Sequence, residues 1–138
     1  MGLAPDINEM LARARADLRM GVPIVLSGTV SIVAVAAESL SDARLSDVLK
    51  LDGTPVLALT GRRAQTLKAH VYDGNIARIL VPPDATLNWL RALSDPADDL
   101  ATPMKGPLRS KRDGNADAHR AAVHLCKSAR LLPAALCV

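Results

Sequence analysis

The chain has 138 residues, 49% hydrophobic and 22% charged, the size and balance of one domain with a buried core. It has no Phe, one Trp (Trp89) and one Tyr (Tyr72), so the core is aliphatic, and nucleic-acid binding by stacking is poorly served, which leaves a backbone-only, shape-reading mode open. The formal charge of +3 is uneven: residues 101–138 carry seven Lys/Arg against two Asp/Glu, whereas residues 1–100 carry ten against twelve.

Asp6 is placed to cap a helix over Ile7–Met20, with Ile7, Met10, Leu11, Ala14 and Leu18 on one stripe and Gly21 as a stop. Two β-branched runs, Val22–Leu26 and Ser31–Ala37, flank Ser27-Gly28-Thr29 and predict a hairpin whose second strand is interior. Leu40–Leu51 reads as a helix with Ser41 as its N-cap, and Asp52-Gly53 ends it. Pro55–Thr60 reads as a strand, since Pro can open one, and Thr60 caps a helix over Gly61–Ala69. After the turn Tyr72–Asn75, Ile76–Val81 is a strand containing one charge, Arg78, and Pro82-Pro83 terminates it. Asp84 is expected to cap Ala85–Leu93. Ser94–Asn115 is the longest irregular stretch, basic and rich in Pro and Gly. A last helix over Ala116–Leu132 is broken by Pro133. This alternation argues a single α/β domain over 1–138, with a three-layer architecture and a mixed sheet around the central hairpin 22–37. The uncharged end, Leu131–Val138, calls for something to cover it, the simplest candidate being a continuation of the chain beyond an N-terminal domain.

Candidate chemistry is sparse. His119 and His124 are five apart and do not align on one helix face; His124 and Cys126 point apart. His70 stands alone at a helix end. Cys126 and Cys137 are too few for a disulfide framework and lack zinc spacing, so no metal site is expected. Glu38 closes the second hairpin strand, where it is either a helix-entrance carboxylate or a site residue. The strongest small-ligand candidate is Thr60-Gly61-Arg62-Arg63, where a strand opens into a helix. Thr60, Arg62 and Arg63 could hold an anion, with Lys105, Arg109, Lys111 and Arg112 of the long loop closing over it, or form a capped, solvated first turn. No apolar run reaches the roughly 20 residues of a membrane span, and Met1–Met20 is amphipathic rather than a leader, so a cytoplasmic setting is expected.

Asp17–Leu26, DLRMGVPIVL, followed by Val33–Glu38, VAVAAE, resembles the opening of dihydroxybutanone phosphate synthases. In that riboflavin-pathway family an acidic loop between the two strands carries the magnesium and substrate groups. Here the loop is reduced to Ser27-Gly28-Thr29, and Glu38, the matching acid, lies outside it. The resemblance thus implies the scaffold without the synthase activity. Pro55–Thr60 with Arg63-Ala64, Asp95-Pro96 and above all Ala121–Ala135, AAVHLCKSARLLPAA, is similar to the degenerate N-terminal domain that precedes GTP cyclohydrolase II in some bacterial proteins. That resemblance implies a non-catalytic accessory domain that meets a downstream catalytic domain, or a second copy, through the last helix and Leu131–Val138. It implies no cofactor in this chain, with zinc only in the catalytic domain that follows. The alternative is a small anion-, nucleotide- or RNA-binding module; a third reading is a residual enzyme using Glu38 and the histidines.

Overall fold

A computed structural model describes residues 2–100 and 107–138. Helix α1 spans Ile7–Arg19 and opens on a full capping box: Glu9 N donates to Asp6 Oδ1 (2.8 Å), and Asp6 N donates to Glu9 Oε1 (3.0 Å). Strands β1 (Ile24–Leu26) and β2 (Ile32–Ala36) form the hairpin. Helix α2 (Asp42–Leu49) is capped by Ser41, and helix α3 (Gly61–Thr66), which follows β3 (Val56–Thr60), is capped by Thr60. Strand β4 is Ile76–Leu80. Helix α4 runs Leu87–Ser94 and a short 3-10 turn covers Pro96–Asp98. Helix α5 is Asp117–Ser128, and strand β5 is Ala134–Cys137.

The five strands form one sheet in the order β1-β2-β5-β3-β4. Strand periodicity divides the inner strands between two cores. Val35, Leu57, Leu59, Ala77, Ile79, Ala134 and Leu136 face α2, α3 and α4, where Leu45, Val48, Ala64, Leu90 and Leu93 meet them. Ala34, Ala36, Val56, Ala58, Ile76, Ala135 and Cys137 face the opposite way, against Leu18 of α1 and Ala122, Val123, Leu125 and Cys126 of α5. Helices therefore cover both faces, giving the expected three-layer α/β architecture. The small residues on the α1/α5 side let α5 approach the sheet closely.

Four expectations change. The sheet is antiparallel in every pairing, not mixed. The hairpin is not its centre, because β1 is an edge strand. The central strand is β5, made from the apolar end. Within the apolar end, Ala134–Cys137 is thus covered by the chain's own sheet: β5 pairs with β2 on one side (Ala34↔Cys137, Ala36↔Ala135) and with β3 on the other (Val56↔Cys137, Leu59↔Ala134). All four β5 residues are buried. Leu131, Leu132, Pro133 and Val138, which flank β5, are half-buried. Finally, Thr86 rather than Asp84 caps α4, its hydroxyl accepting from Trp89 N at 3.1 Å.

The outer edge of β4 is not open. Residues 109–111 run beside it: Leu80 N donates to Arg109 O and Lys111 N donates to Arg78 O, both at 2.7 Å. This strap places part of the long loop beside β4. Lys105 lies outside the described residues.

Candidate functional site

The Thr60–Arg63 turn forms as expected, with Arg63 N donating to Thr60 Oγ1 at 3.1 Å. Its two arginines diverge. Arg63 Nε donates to Leu93 O (2.7 Å), Nη1 to Asp99 Oδ2 (2.6 Å), and Nη2 to Asp99 Oδ1 (2.9 Å) and Ala92 O (3.0 Å). This bidentate pair, with the side chain 10% exposed, ties α3 to the end of α4. Arg62 is exposed and lines a cleft of about 330 Å³ with Thr60, Thr66, Ser94, Leu132 and Pro133. Arg109 is remote. Thr60 pairs with Ile76 at one end of β4, and Arg109 binds Leu80 at the other, about 13 Å away along the strand. Lys111 bonds Asp113 (3.3 Å), and Arg112 lies over the Tyr72 ring (5.1 Å). The structure brings Thr60 and Arg62 together; Arg63, though adjacent, spends its donors on α4 and Asp99, and Arg109 is not brought there.

A second cleft, about 310 Å³, lies beside the hairpin bend and is lined by Leu26–Val30, Asn115, Asp117, Ala118 and Ala121. Its one lining carboxylate is Asp117, which Arg120 Nη1 engages at 3.0 Å. Among the described residues no three His, Cys, Asp or Glu are grouped so as to hold a metal ion. The donors at the bend therefore do not fit a divalent cation. Glu38 is exposed at the end of β2. His70 stacks on Tyr72 with ring centres 5.7 Å apart. Burial pushes the Cys126 thiol up to about 12, and burial also raises Cys137, so neither offers a thiolate for a metal or for nucleophilic attack.

A third concavity is a groove of about 550 Å³ along the outer side of α5. Thr60, Asn75 and Ile76 form one wall, and Asp117, Arg120, His124 and Lys127 the other. Arg120 is fixed there: Nε donates to Asn75 Oδ1 (2.8 Å) and Nη2 to Asp73 O (2.6 Å). The spacing of Arg120, His124 and Lys127 places them on one helix face, a signal present in the sequence, whereas the wall opposite comes from β3 and β4 and is not.

Between groove and strap lies a buried polar knot. Arg78 Nε donates to Asp73 Oδ2 (2.9 Å), and Nη2 donates to Asp73 Oδ1 (3.1 Å) and to Asp113 O (2.7 Å). His119 is beside it, buried, and its Nδ1 has no partner among the described residues. Desolvation first, then the Arg78 charge, holds the imidazole below its ordinary value.

No family model matches the chain. In sequence it is similar to a GTP cyclohydrolase-2 of Azospirillum brasilense, 34% identical over 128 residues, covering 90% of this chain and 33% of that protein. The chain thus spans about a third of the length of the relative it matches. Its fold is similar to a 3,4-dihydroxy-2-butanone 4-phosphate synthase in a cation-free form (TM-score 0.64, 22% identity, 92% of this chain and 73% of that one). The Candida albicans synthase aligns at TM-score 0.65 and 18% identity, over 92% and 77% of the two chains. A two-domain synthase from A. baumannii aligns at TM-score 0.68 and 15% identity, over 92% and 46%. The chain is a domain of the 3,4-dihydroxy-2-butanone 4-phosphate synthase fold, and its sequence similarity is to a segment of a GTP cyclohydrolase-2.

Proposed function

We propose that this synthase-like domain is a non-catalytic accessory part of a GTP cyclohydrolase II-like protein of riboflavin biosynthesis. The observation that carries this reading is the hairpin bend. A synthase fold is kept, yet Ser27-Gly28-Thr29 brings no carboxylate, and the single acid lining the adjoining cleft is held by Arg120. Proton abstraction from a sugar phosphate needs a base and an electrophile that polarises the carbonyl. The bend supplies neither. The similarity to a protein three times as long supports a role beside a further domain.

With Ala134–Cys137 inside the sheet, docking on the partner domain or a second copy runs through the outer side of the last helix and Leu131–Pro133, joined by the start of α1. Leu3, Ile7 and Met10, at and before the start of α1, are exposed at 102%, 65% and 53%. They extend the apolar stripe of α1 beyond the part that the sheet and α5 cover, and apolar surface of this kind marks interaction sites. A turnover assay on the chain with GTP and zinc, and with ribulose 5-phosphate and magnesium, is expected to yield no product. Steady product from either substrate overturns the accessory reading.

A further inference from the structure

We infer that the cleft between α3 and the Pro96–Asp98 turn is a binding site for a small apolar carboxylate. It lies where β3 ends and β5 begins, between Thr60 and Pro133, and has a volume of about 330 Å³. That is the low end of the range for small-molecule pockets, about 300–1,000 Å³. The hairpin bend stands at the other end of β5, where Val138 bonds Val33. The cleft is thus separate from the bend. It borders the proposed docking surface but does not depend on it.

Leu59, Leu132, Pro133 and Pro96 give the cleft an apolar lining, against which an apolar body gains by leaving water. Its polar groups divide into spent and free. Arg63 commits Nε and both terminal nitrogens to Leu93 O, Ala92 O and the Asp99 carboxylate. The Ser94 hydroxyl donates to Leu90 O at 2.7 Å, and the Thr66 hydroxyl to Arg62 O at 3.2 Å. Two donors remain. The Arg62 guanidinium is exposed and has no partner among the described residues. The Thr60 hydroxyl accepts from Arg63 N, and its own hydrogen has no acceptor among the described residues. A guanidinium fork matches a carboxylate with two parallel hydrogen bonds. One uncompensated positive charge balances one negative charge. A phosphate dianion would leave a charge over beside the Asp99 carboxylate and would gain nothing from the apolar lining.

The test is an amide-correlation NMR titration of the 138-residue chain with 3-phenylpropionate and, in parallel, 3-phenylpropanol, acetate and inorganic phosphate. Saturable shifts centred on the amides of Arg62, Thr66, Ser94 and Leu132 are expected for 3-phenylpropionate, with a dissociation constant on the order of 1 mM or tighter. The alcohol lacks the charge and acetate lacks the body, so each should bind about tenfold more weakly or worse. Arg62→Ala should weaken 3-phenylpropionate about tenfold, the loss of a charge-assisted contact, and leave the alcohol unchanged. Arg62 is exposed, so the rest of the spectrum should keep its shifts. No saturable binding, shifts centred elsewhere, or indifference to Arg62→Ala overturns the inference. Binding of the alcohol, acetate or phosphate as tight as that of 3-phenylpropionate also overturns it.

Discussion

Arg78 and Asp73 form a two-pronged ion pair that is sealed from water, their side chains 1% and 8% exposed. The pair spans the turn before β4, and the same guanidinium reaches the carbonyl of Asp113 on the strap. It therefore fastens the returning long loop to an otherwise open sheet edge, the kind of edge that invites pairing with other chains. A buried charge stripped of its partner is costly. Asp73→Ala should destabilise the chain by about 3–5 kcal/mol in urea unfolding. Hydrogen exchange at the Leu80 and Lys111 amides should accelerate more than at Leu57, deep in the sheet. Exchange that rises equally at all three would mean the pair stabilises the fold as a whole rather than pinning the strap.

The two adjacent arginines at the start of α3 should behave differently. Arg63 makes four hydrogen bonds to the end of α4 and Asp99, whereas Arg62 is exposed and lines a cleft. Arg63→Ala is expected to cost about 2 kcal/mol, within the range for hydrogen bonds to charged groups. Arg62→Ala should stay within about 0.5 kcal/mol of the parent, as surface substitutions do. Thermal or urea unfolding of the two variants side by side decides it; equal losses would contradict the assignment of Arg63 as a staple.

The cap at Asp6, the turn at Thr60 and the interior character of β2 are legible in the sequence because each depends on residues within four positions of one another. Strand β5 is not. LLPAALCV has the composition of an interior strand, but the evidence that it is one lies in β2 and β3, some 75 to 100 residues away in sequence. The same holds for the site. Thr60 and Arg62 are local, whereas the groove needs α5 to be laid across the β3–β4 end, and that placement follows from a core not visible along the chain. Ile7 and Met10 fail in the other direction: their spacing fits a buried stripe, but α1 outruns the sheet beneath it.

Because β5 is the middle strand, the end of the chain is expected to be indispensable for folding. Removing Ala134–Val138 deletes ladders to two neighbours and takes Leu136, fully buried, out of one core. A chain ending at Pro133 should show no cooperative thermal transition. Leu136→Ala should keep the fold at a cost of about 2–5 kcal/mol. A truncated chain that still melts cooperatively near the parent temperature would show that β5 adds to the sheet after the rest has formed.

His119 should make stability depend on pH. The imidazole is 7% exposed, its Nδ1 unpartnered among the described residues, and the charges that face it are Arg78, Asp73 and Lys111. Desolvation is the largest reason that its proton affinity is lowered in the fold. Above the ordinary value of 6.5 the group is neutral in both states and contributes no pH dependence. As pH falls below that value the unfolded chain takes up a proton that the native chain resists. Stability is thus lost, with a limiting slope of about 1.4 kcal/mol per pH unit, until the folded group titrates too. Urea unfolding between about pH 7.5 and pH 5 measures this slope. His119→Leu should flatten it. A slope that survives in His119→Leu would assign the pH dependence to other groups.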